Sequence, residues 1–455
     1  MKQYAYIETY GCQQNEADSE ILMGLCVECG YEKTDDPRKA DLILVNTCAV
    51  REHAELKALS NTGKFKGLKV HNPDLLIGVC GCMAQQEHRG EEIRQKYPFV
   101  DFIFGTNLLG EFPAILAEAK AAKTRKKGRR HFRVEGFDVN PGTVNEGLPK
   151  VRSSTFQAWV SITYGCNNFC TYCVVPYVRG RERSREFDCI VREVEELVSL
   201  GYREITLLGQ NVNAYGKTLV PKRTFTELLS RLDEIEGDFM IRFMTSHPKD
   251  MPYETVDVIA NSRHIAHQLH LPLQSGSDAM LSKMHRIYKR EDYLDLCRYV
   301  KQVMPDCTLS TDIIIGFPGE SEEDFQDTLS AIEEVGYDNV FAFLYSPRKG
   351  TPAAEYSDQI PHEVKTARMQ RLLELTHKIS LEKNLSYVGR ELNCLVESVS
   401  RTNSDRMTAR SLEGKVIHFP LEGRDPSTLI GTIQTLTIDQ AQATTLIARA
   451  LPQKG

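Results

Sequence analysis

Short apolar runs separated by amphipathic stretches set the pattern of this chain. In the first third, Tyr4–Thr9, Asp41–Asn46, Leu75–Cys80 and Phe99–Phe104 read as strands. Asn15–Val27 and Gln85–Tyr97 read as helices between them, with Asn15 as an N-cap. The alternation predicts a parallel sheet in a Rossmann- or flavodoxin-like α/β domain over residues 1–120. A basic linker over 121–152 follows, introduced by Lys120–Arg133, which carries Lys and Arg but no acid. From 153 to 385 the alternation resumes, with strands at Ala158–Ile162, Glu204–Leu208, Met240–Met244, Gln268–Leu273, Leu309–Ile315 and Val340–Tyr345. Six βα repeats fall short of a closed eight-stranded barrel and predict a partial (β/α)6 TIM-like barrel. Over 386–451 the pattern changes to short strands at Leu392–Ser398, Arg406–Arg410, Lys415–Phe419 and Leu429–Leu436, separated by Gly, Asp and Pro turns. These predict a small antiparallel, OB-like β-barrel, a shape that often carries oligonucleotides.

Composition narrows this little. A net charge of -6 gives no global nucleic-acid signature, so an RNA surface has to be local. Arg401, Arg406, Arg410 and Lys415 of the last segment are candidate phosphate contacts, and the basic linker is either a solvated connector or a phosphate-contacting arm. Met1–Glu8 has no apolar signal segment, and no apolar run approaches the ~18 residues of a membrane span. A cytoplasmic protein without membrane attachment is expected, and in that compartment 13 cysteines read as metal ligands or buried thiols before disulfides.

Two cysteine sets stand out. Cys166, Cys170 and Cys173 form a C-x3-C-x2-C loop after the first strand of the central region. Structural iron–sulfur clusters take four cysteines and structural zinc four Cys or His, so a trio points to a cluster with one iron left open. Cys12, Cys48 and Cys82 follow three successive strands, each about one βα unit from the next. They emerge together at the carboxyl edge of a parallel sheet, where ligands bind. Cys80 is a weaker rival to Cys82, since strand alternation turns it into the packing. Cys26 and Cys29 read as thiols beside a helix-ending Gly30. Around the mouth of the partial barrel, strand ends carrying Gly209, Ser246, Ser275 and Gly316 to Glu320 favour a nucleoside-sized ligand. His247 and His270 lack a paired histidine at ligand spacing and read as structural.

The trio, with Tyr172 before its last thiol, resembles the signature loop of radical S-adenosylmethionine enzymes. Cys12 in Glu8–Cys12, Cys48 in Asn46–Glu52 and Cys82 in Gly81–Gln85 resemble the auxiliary-cluster ligands of the methylthiotransferase subgroup, and the last segment resembles its TRAM module. The run Val174–Arg185 and the continuation Cys48–Glu52 resemble the branch acting on isopentenylated adenosine; Gln14 departs from that pattern, where Met is expected. The resemblance implies two iron–sulfur clusters, the radical one and an auxiliary, sulfur-donating one, both taken as 4Fe–4S, and two S-adenosylmethionine molecules. It also implies a 5′-deoxyadenosyl radical and methylthio transfer to carbon 2 of N6-(dimethylallyl)adenosine beside the anticodon of tRNA. Tyr172, Gly209, Ser246, Gly316 and Glu320 are then expected to line the cofactor, and Arg179, Arg181, Arg183 and Arg406 to contact the anticodon stem-loop. A flavodoxin or ferredoxin is the expected electron donor, and the chain is expected to be a monomer. Sister branches act on threonylcarbamoyl-adenosine or a ribosomal-protein aspartate. Outside the family, a non-catalytic iron–sulfur RNA-binding protein is the alternative.

Overall fold

The computed structural model describes residues 2–49, 52–125, 135–136, 144 and 146–451. Much of the basic run Lys120–Arg133 lies outside the described residues; its first residues continue the helix Phe112–Arg125.

Strands β1 (Gln3–Thr9), β2 (Tyr31–Lys33), β3 (Leu42–Thr47), β4 (Leu76–Gly81), β5 (Phe102–Phe104) and β6 (Glu135–Gly136) form one parallel sheet in the order β2-β1-β3-β4-β5-β6. The first five follow the flavodoxin-like order, in which the chain reverses direction across the sheet between β1 and β3. Both faces are covered. Leu42, Leu44 and Phe102 pack one core, and Ile43, Val45 and Ile103 the other, as period-2 alternation requires. The short edge strand β2 was not predicted, because only Tyr31 of its three residues is buried.

The helix Gln13–Glu28 corrects an expectation. Several of its polar residues do not face solvent: Gln14, Asn15, Asp18 and Glu20 are buried, because the helix lies between the sheet and the central region, while Gln13, Glu16 and Glu28 stay exposed. Gln14 Nε2 donates to Ser161 Oγ (2.9 Å), and Glu20 accepts from Arg152 (3.0 Å) and from the Ser153 N–H (2.8 Å). Buried polar groups persist where they are paired, and here the partners lie in the next domain. The helix begins at Gln13 with Cys12 as its N-cap, so Asn15 is not the cap.

Strand β7 (Gln157–Ser161) opens the central region, and the short pair β8 (Thr163–Tyr164) and β9 (Arg183–Ser184) follows. Then come β10 (Glu204–Leu208), β11 (Met240–Phe243), β12 (Gln268–His270), β13 (Thr308–Ile315) and β14 (Asn339–Leu344). The parallel sheets β7-β10-β11 and β12-β13-β14 meet through a parallel bridge between Ile241 and Ile265. Six strands thus curve as a partial barrel, and β7 and β14 are its two ends. The outer helices Phe187–Ser199, Phe225–Asp233, Tyr253–Asn261, Arg290–Val303 and Glu322–Val335 bury their apolar faces against one continuous core.

Strands β15 (Glu391–Val399), β16 (Arg406–Ser411), β17 (Val416–Pro420), β18 (Ile433–Ala441) and β19 (Leu446–Ala448) close a terminal barrel in the order β15-β16-β17-β19-β18. It is antiparallel except at β17–β19, which run parallel. The expected strand Leu429–Leu436 starts late, because Asp425 caps a single turn over Pro426–Thr428 and Gly431 adopts φ +80°. The hairpin tip between β16 and β17 sits on the lower ends of the central strands. Arg242 there pairs with Glu204 (2.7 Å) and donates to the carbonyls of Ser411 (2.8 Å) and Leu412 (3.3 Å). Lys415, expected as a phosphate contact, is 8% exposed and bonded to Asp338 (2.7 Å) and Asn384 (2.8 Å); it anchors the barrel instead. Arg410 is likewise held by Glu397 (2.6 Å).

A buried ion cluster fastens the end of the linker. Glu193 takes Lys150, Arg152 (2.7 Å) and Arg185 (2.8 Å), and Arg185 also reaches Glu146 (2.8 Å). Burial pushes the Glu193 carboxyl up, but Lys150 and Arg185 overcome it and hold it down to about 2. A carboxyl depressed in this way adds stability above its unfolded value of 4.5 and loses it as pH falls toward 2. Glu193→Gln is therefore expected to cost about 3 kcal/mol at pH 7, since it leaves Lys150 without a carboxylate and takes one of two from each of Arg152 and Arg185. The difference from the parent chain should shrink through the acid range, as read from urea midpoints at a series of pH values.

Candidate functional site

The loop carrying Cys166, Cys170 and Cys173 follows β8 at the carboxyl end of β7. Gly165 makes its entry possible: φ is +75°, and a Cβ there would lie 2.2 Å from the Arg181 carbonyl. Its N–H donates to Gln210 Oε1, at the end of β10. Cys166 N–H donates to the Gly180 carbonyl (3.2 Å) and Cys173 N–H to that of Cys170 (2.9 Å). Thr171 ties the loop to the segment after the helix Asp278–Lys283, its N–H reaching the Met284 carbonyl (3.0 Å) and its hydroxyl that of Lys283 (3.0 Å). Burial pushes the Cys166 thiol up to about 11 and the Cys173 thiol up to about 12. Buried Arg286 lies 3.9 Å from Cys170 Sγ and 3.4 Å from the Tyr172 hydroxyl. Sequence reasoning missed Arg286, and a lone arginine in a polar loop gives no signal.

Cys12, Cys48 and Cys82 converge at the carboxyl edge of the first sheet, across the β1–β3 reversal. Gly11 lets two of the loops meet, because a Cβ there would sit 2.5 Å from Cys48 Cβ. Asn15 Oδ1 faces both Cys12 Sγ (3.7 Å) and Cys82 Sγ (3.8 Å), while Asn15 Nδ2 donates to the Tyr10 and Thr47 carbonyls (2.8 and 2.9 Å). Cys80 points into the opposite core with Cys26, away from this group.

The two sets are neighbours. Val174 and Val178, immediately beyond Cys173, pack on Cys82 and Ala49. The helix Val175–Arg179 ends with Arg179, which is 5% exposed and donates through Nε to Cys82 Sγ (3.2 Å). This corrects the expectation of an RNA contact at Arg179: a buried guanidinium already bonded to Asp18 (2.8 Å) is closed to phosphate. Arg181 is exposed and stacks on Phe169 (4.6 Å), Arg183 is partly exposed and donates to the Arg179 carbonyl (2.9 Å), and Arg406 is partly exposed on β16.

Of the expected cofactor contacts, Tyr172 lies in an apolar pocket with Met280, Met284 and Phe317. Gly209 packs on Thr163, where a Cβ would come within 2.4 Å of a methyl. Ser246 gives its hydroxyl to the His270 carbonyl. Glu320 is buried, accepting from the Gly316 N–H (3.1 Å) and Arg368 (2.7 Å). The Ser246 hydroxyl and Glu320 carboxylate are thus engaged within the protein. Burial lowers His247 to about 2, so it stays neutral.

Among the described residues no three His, Cys, Asp or Glu side chains gather around one point closely enough for a single metal ion. A mononuclear site needs that tightness, whereas a cubane takes each thiolate on a different iron and spaces them farther apart. All-thiol donors at the ends of rigid strands fit iron–sulfur chemistry. Residues 4–105 match the Uncharacterized protein family UPF0004, and residues 160–332 the Radical SAM superfamily. Proteins named tRNA-2-methylthio-N(6)-dimethylallyladenosine synthase are similar along nearly the whole length. The one from Clostridium botulinum (strain Hall) is 50% identical over 91% of this chain and 90% of its own. That from Clostridium perfringens (strain SM101) is 48% identical over 97% and 96%. The chain belongs to this synthase family. In fold, the family member resembles a radical S-adenosylmethionine methyltransferase from Kitasatospora setae, with a TM-score of 0.54 at 15% identity over 78% of this chain and 77% of that one.

Proposed function

We propose that the chain transfers a methylthio group to carbon 2 of N6-(dimethylallyl)adenosine next to the anticodon of tRNA. The adjacency of two three-cysteine sets, joined through residues 174–179, carries this reading, together with the names of its relatives. Bound at Cys166, Cys170 and Cys173, a 4Fe–4S cluster with S-adenosylmethionine supplies the radical chemistry that an unactivated aromatic C–H bond requires, and a second cluster at Cys12, Cys48 and Cys82 supplies the sulfur.

The chain's own residues hold these parts in place. Gln210 and the Gly180 carbonyl fix the entry of the radical loop, and Arg286 places a positive charge beside Cys170. Asn15 stands between Cys12 and Cys82. Cys48, Cys82, Cys166 and Cys170 are buried, whereas Cys12 is exposed and Cys173 half-buried, so each set opens outward at one thiol. Among the described residues no helix is long and apolar enough to cross a membrane. We read the protein as a cytoplasmic monomer reduced by a flavodoxin or ferredoxin. In this reading the terminal barrel grips RNA through side chains such as Arg406, with Arg181 and Arg183 nearer the cysteines.

Anaerobic reconstitution with iron, sulfide and S-adenosylmethionine, followed by mass spectrometry of nucleosides from treated tRNA, tests the function. The 2-methylthio derivative of dimethylallyladenosine is expected. Modification of threonylcarbamoyl-adenosine, or none, would refute the reading. Binding to unmodified tRNA is expected to weaken with salt at a log–log slope near roughly -3.5, as about five single-strand phosphate contacts give. A slope near zero would point to a protein substrate.

A further inference from the structure

We propose that Arg179 is a positioning residue that joins the sulfur-donor site to the radical site and tunes the former through Cys82. The inference rests on the reading that Cys12, Cys48 and Cys82 hold a cluster.

The geometry has three parts. First, the Arg179 fork is not spent as a plain interdomain ion pair. A guanidinium that only closes an interface favours two parallel bonds to one carboxylate. Here Nε goes to Cys82 Sγ (3.2 Å), and one terminal nitrogen is shared between Asp18 Oδ2 (2.8 Å) and Asn15 Oδ1 (2.9 Å). That Asn15 oxygen is the atom facing the sulfurs of Cys12 and Cys82, so two routes lead from Arg179 to the donor sulfurs. Second, a thiolate bound to iron keeps lone pairs, and an N–H aimed at one of them survives metal binding. Hydrogen bonds and nearby charge at ligand sulfurs set the potentials of iron–sulfur clusters. Third, consecutive residues serve the two sites: the Arg179 side chain holds Cys82, and the Gly180 carbonyl accepts the N–H of Cys166 (3.2 Å). Gly180 has φ +75°, which sends the chain straight back to the radical loop. A shift of Cys82 therefore reaches Cys166 through one peptide unit.

Asp18 makes the pair neutral and explains how a guanidinium is tolerated in so dry a place. It also complicates mutagenesis, because Arg179→Gln alone strands a buried carboxylate. The double variant Asp18→Asn/Arg179→Gln removes both charges and keeps the polar shape.

The test uses the full chain with Cys166, Cys170 and Cys173 all replaced by alanine, reconstituted anaerobically so that only the donor site can load. In this background, Arg179→Gln and the double variant are each expected to shift the reduced-to-oxidised ratio of the cluster at fixed potential by about tenfold toward oxidised. For a one-electron couple that is about 59 mV. The electron paramagnetic resonance signal should change with it, and Arg179→Lys, which keeps the charge but loses the fork, should recover only part of the shift. Unchanged potentials and spectra in iron-loaded variants would overturn the proposal and reduce Arg179 to an interface residue. If the triple-alanine chain binds no iron at all, the two-cluster reading itself fails and takes this inference with it.

Discussion

Replacing Cys82 with alanine is expected to abolish methylthio transfer to tRNA while reductive cleavage of S-adenosylmethionine continues; replacing Cys166 should abolish both. The expectation follows from where the two sets sit. Cys82 closes the trio on the edge of the first sheet that is proposed to donate sulfur, while Cys166 belongs to the loop that the central strands hold. Loss of residues that merely support a metal ligand commonly costs ~10 to 100-fold, so loss of a ligand should cost at least roughly 100-fold. Counting 5′-deoxyadenosine and methylthiolated nucleoside in the same reactions separates the two. Sulfur transfer surviving in Cys82→Ala, or 5′-deoxyadenosine surviving in Cys166→Ala, would show that the labour is divided differently.

A comparably large effect should follow Arg242→Ala, far from either cysteine set. Arg242 is buried, paired with Glu204, and bonded to Gln268 (2.8 Å) as well as to the hairpin carbonyls of the terminal barrel. Its loss strands the buried Glu204 carboxylate and frees two carbonyls, at a cost of about 3–5 kcal/mol. The barrel should then lift from the lower end of the central strands. Faster proteolysis just after the helix His362–Leu385 and a raised KM for tRNA are expected, with cleavage of S-adenosylmethionine in the absence of RNA little altered. Arg242→Lys should not rescue docking, because a single ammonium cannot span the carboxylate and the carbonyls together. A variant with unchanged proteolysis and KM would show that other contacts, such as Lys415 with Asp338, suffice.

Much of this was legible in the chain because burial leaves a mark on hydrophobic periodicity. The inner strands β3, β4, β10 and β13 read out within a residue or two, since both faces of each are covered. Strands β2 and β19 escaped: both are three residues long and lie in no longer apolar run, and β2 buries only Tyr31. Cysteine placement was legible by spacing and by recurrence after strands. Charged side chains were not. Arg179, Lys415 and Glu20 look in sequence like solvated residues, and their burial depends on a partner from a distant segment. The helix Gln13–Glu28 misled for the same reason: a second domain covers the face that a single domain would leave wet.

The terminal barrel docks beneath the central strands, whereas the cysteines lie above them. The longest of these strands, β13, has eight residues, which at about 3.3 Å each spans roughly 26 Å. On the function proposed above, an RNA gripped by that barrel and modified at the cysteines has to reach along the full depth of the central strands. On that proposal the fold would act as a gauge: a loop on a stem of the right length would arrive at the cysteines, and a free nucleoside or a short hairpin would have nothing to measure against.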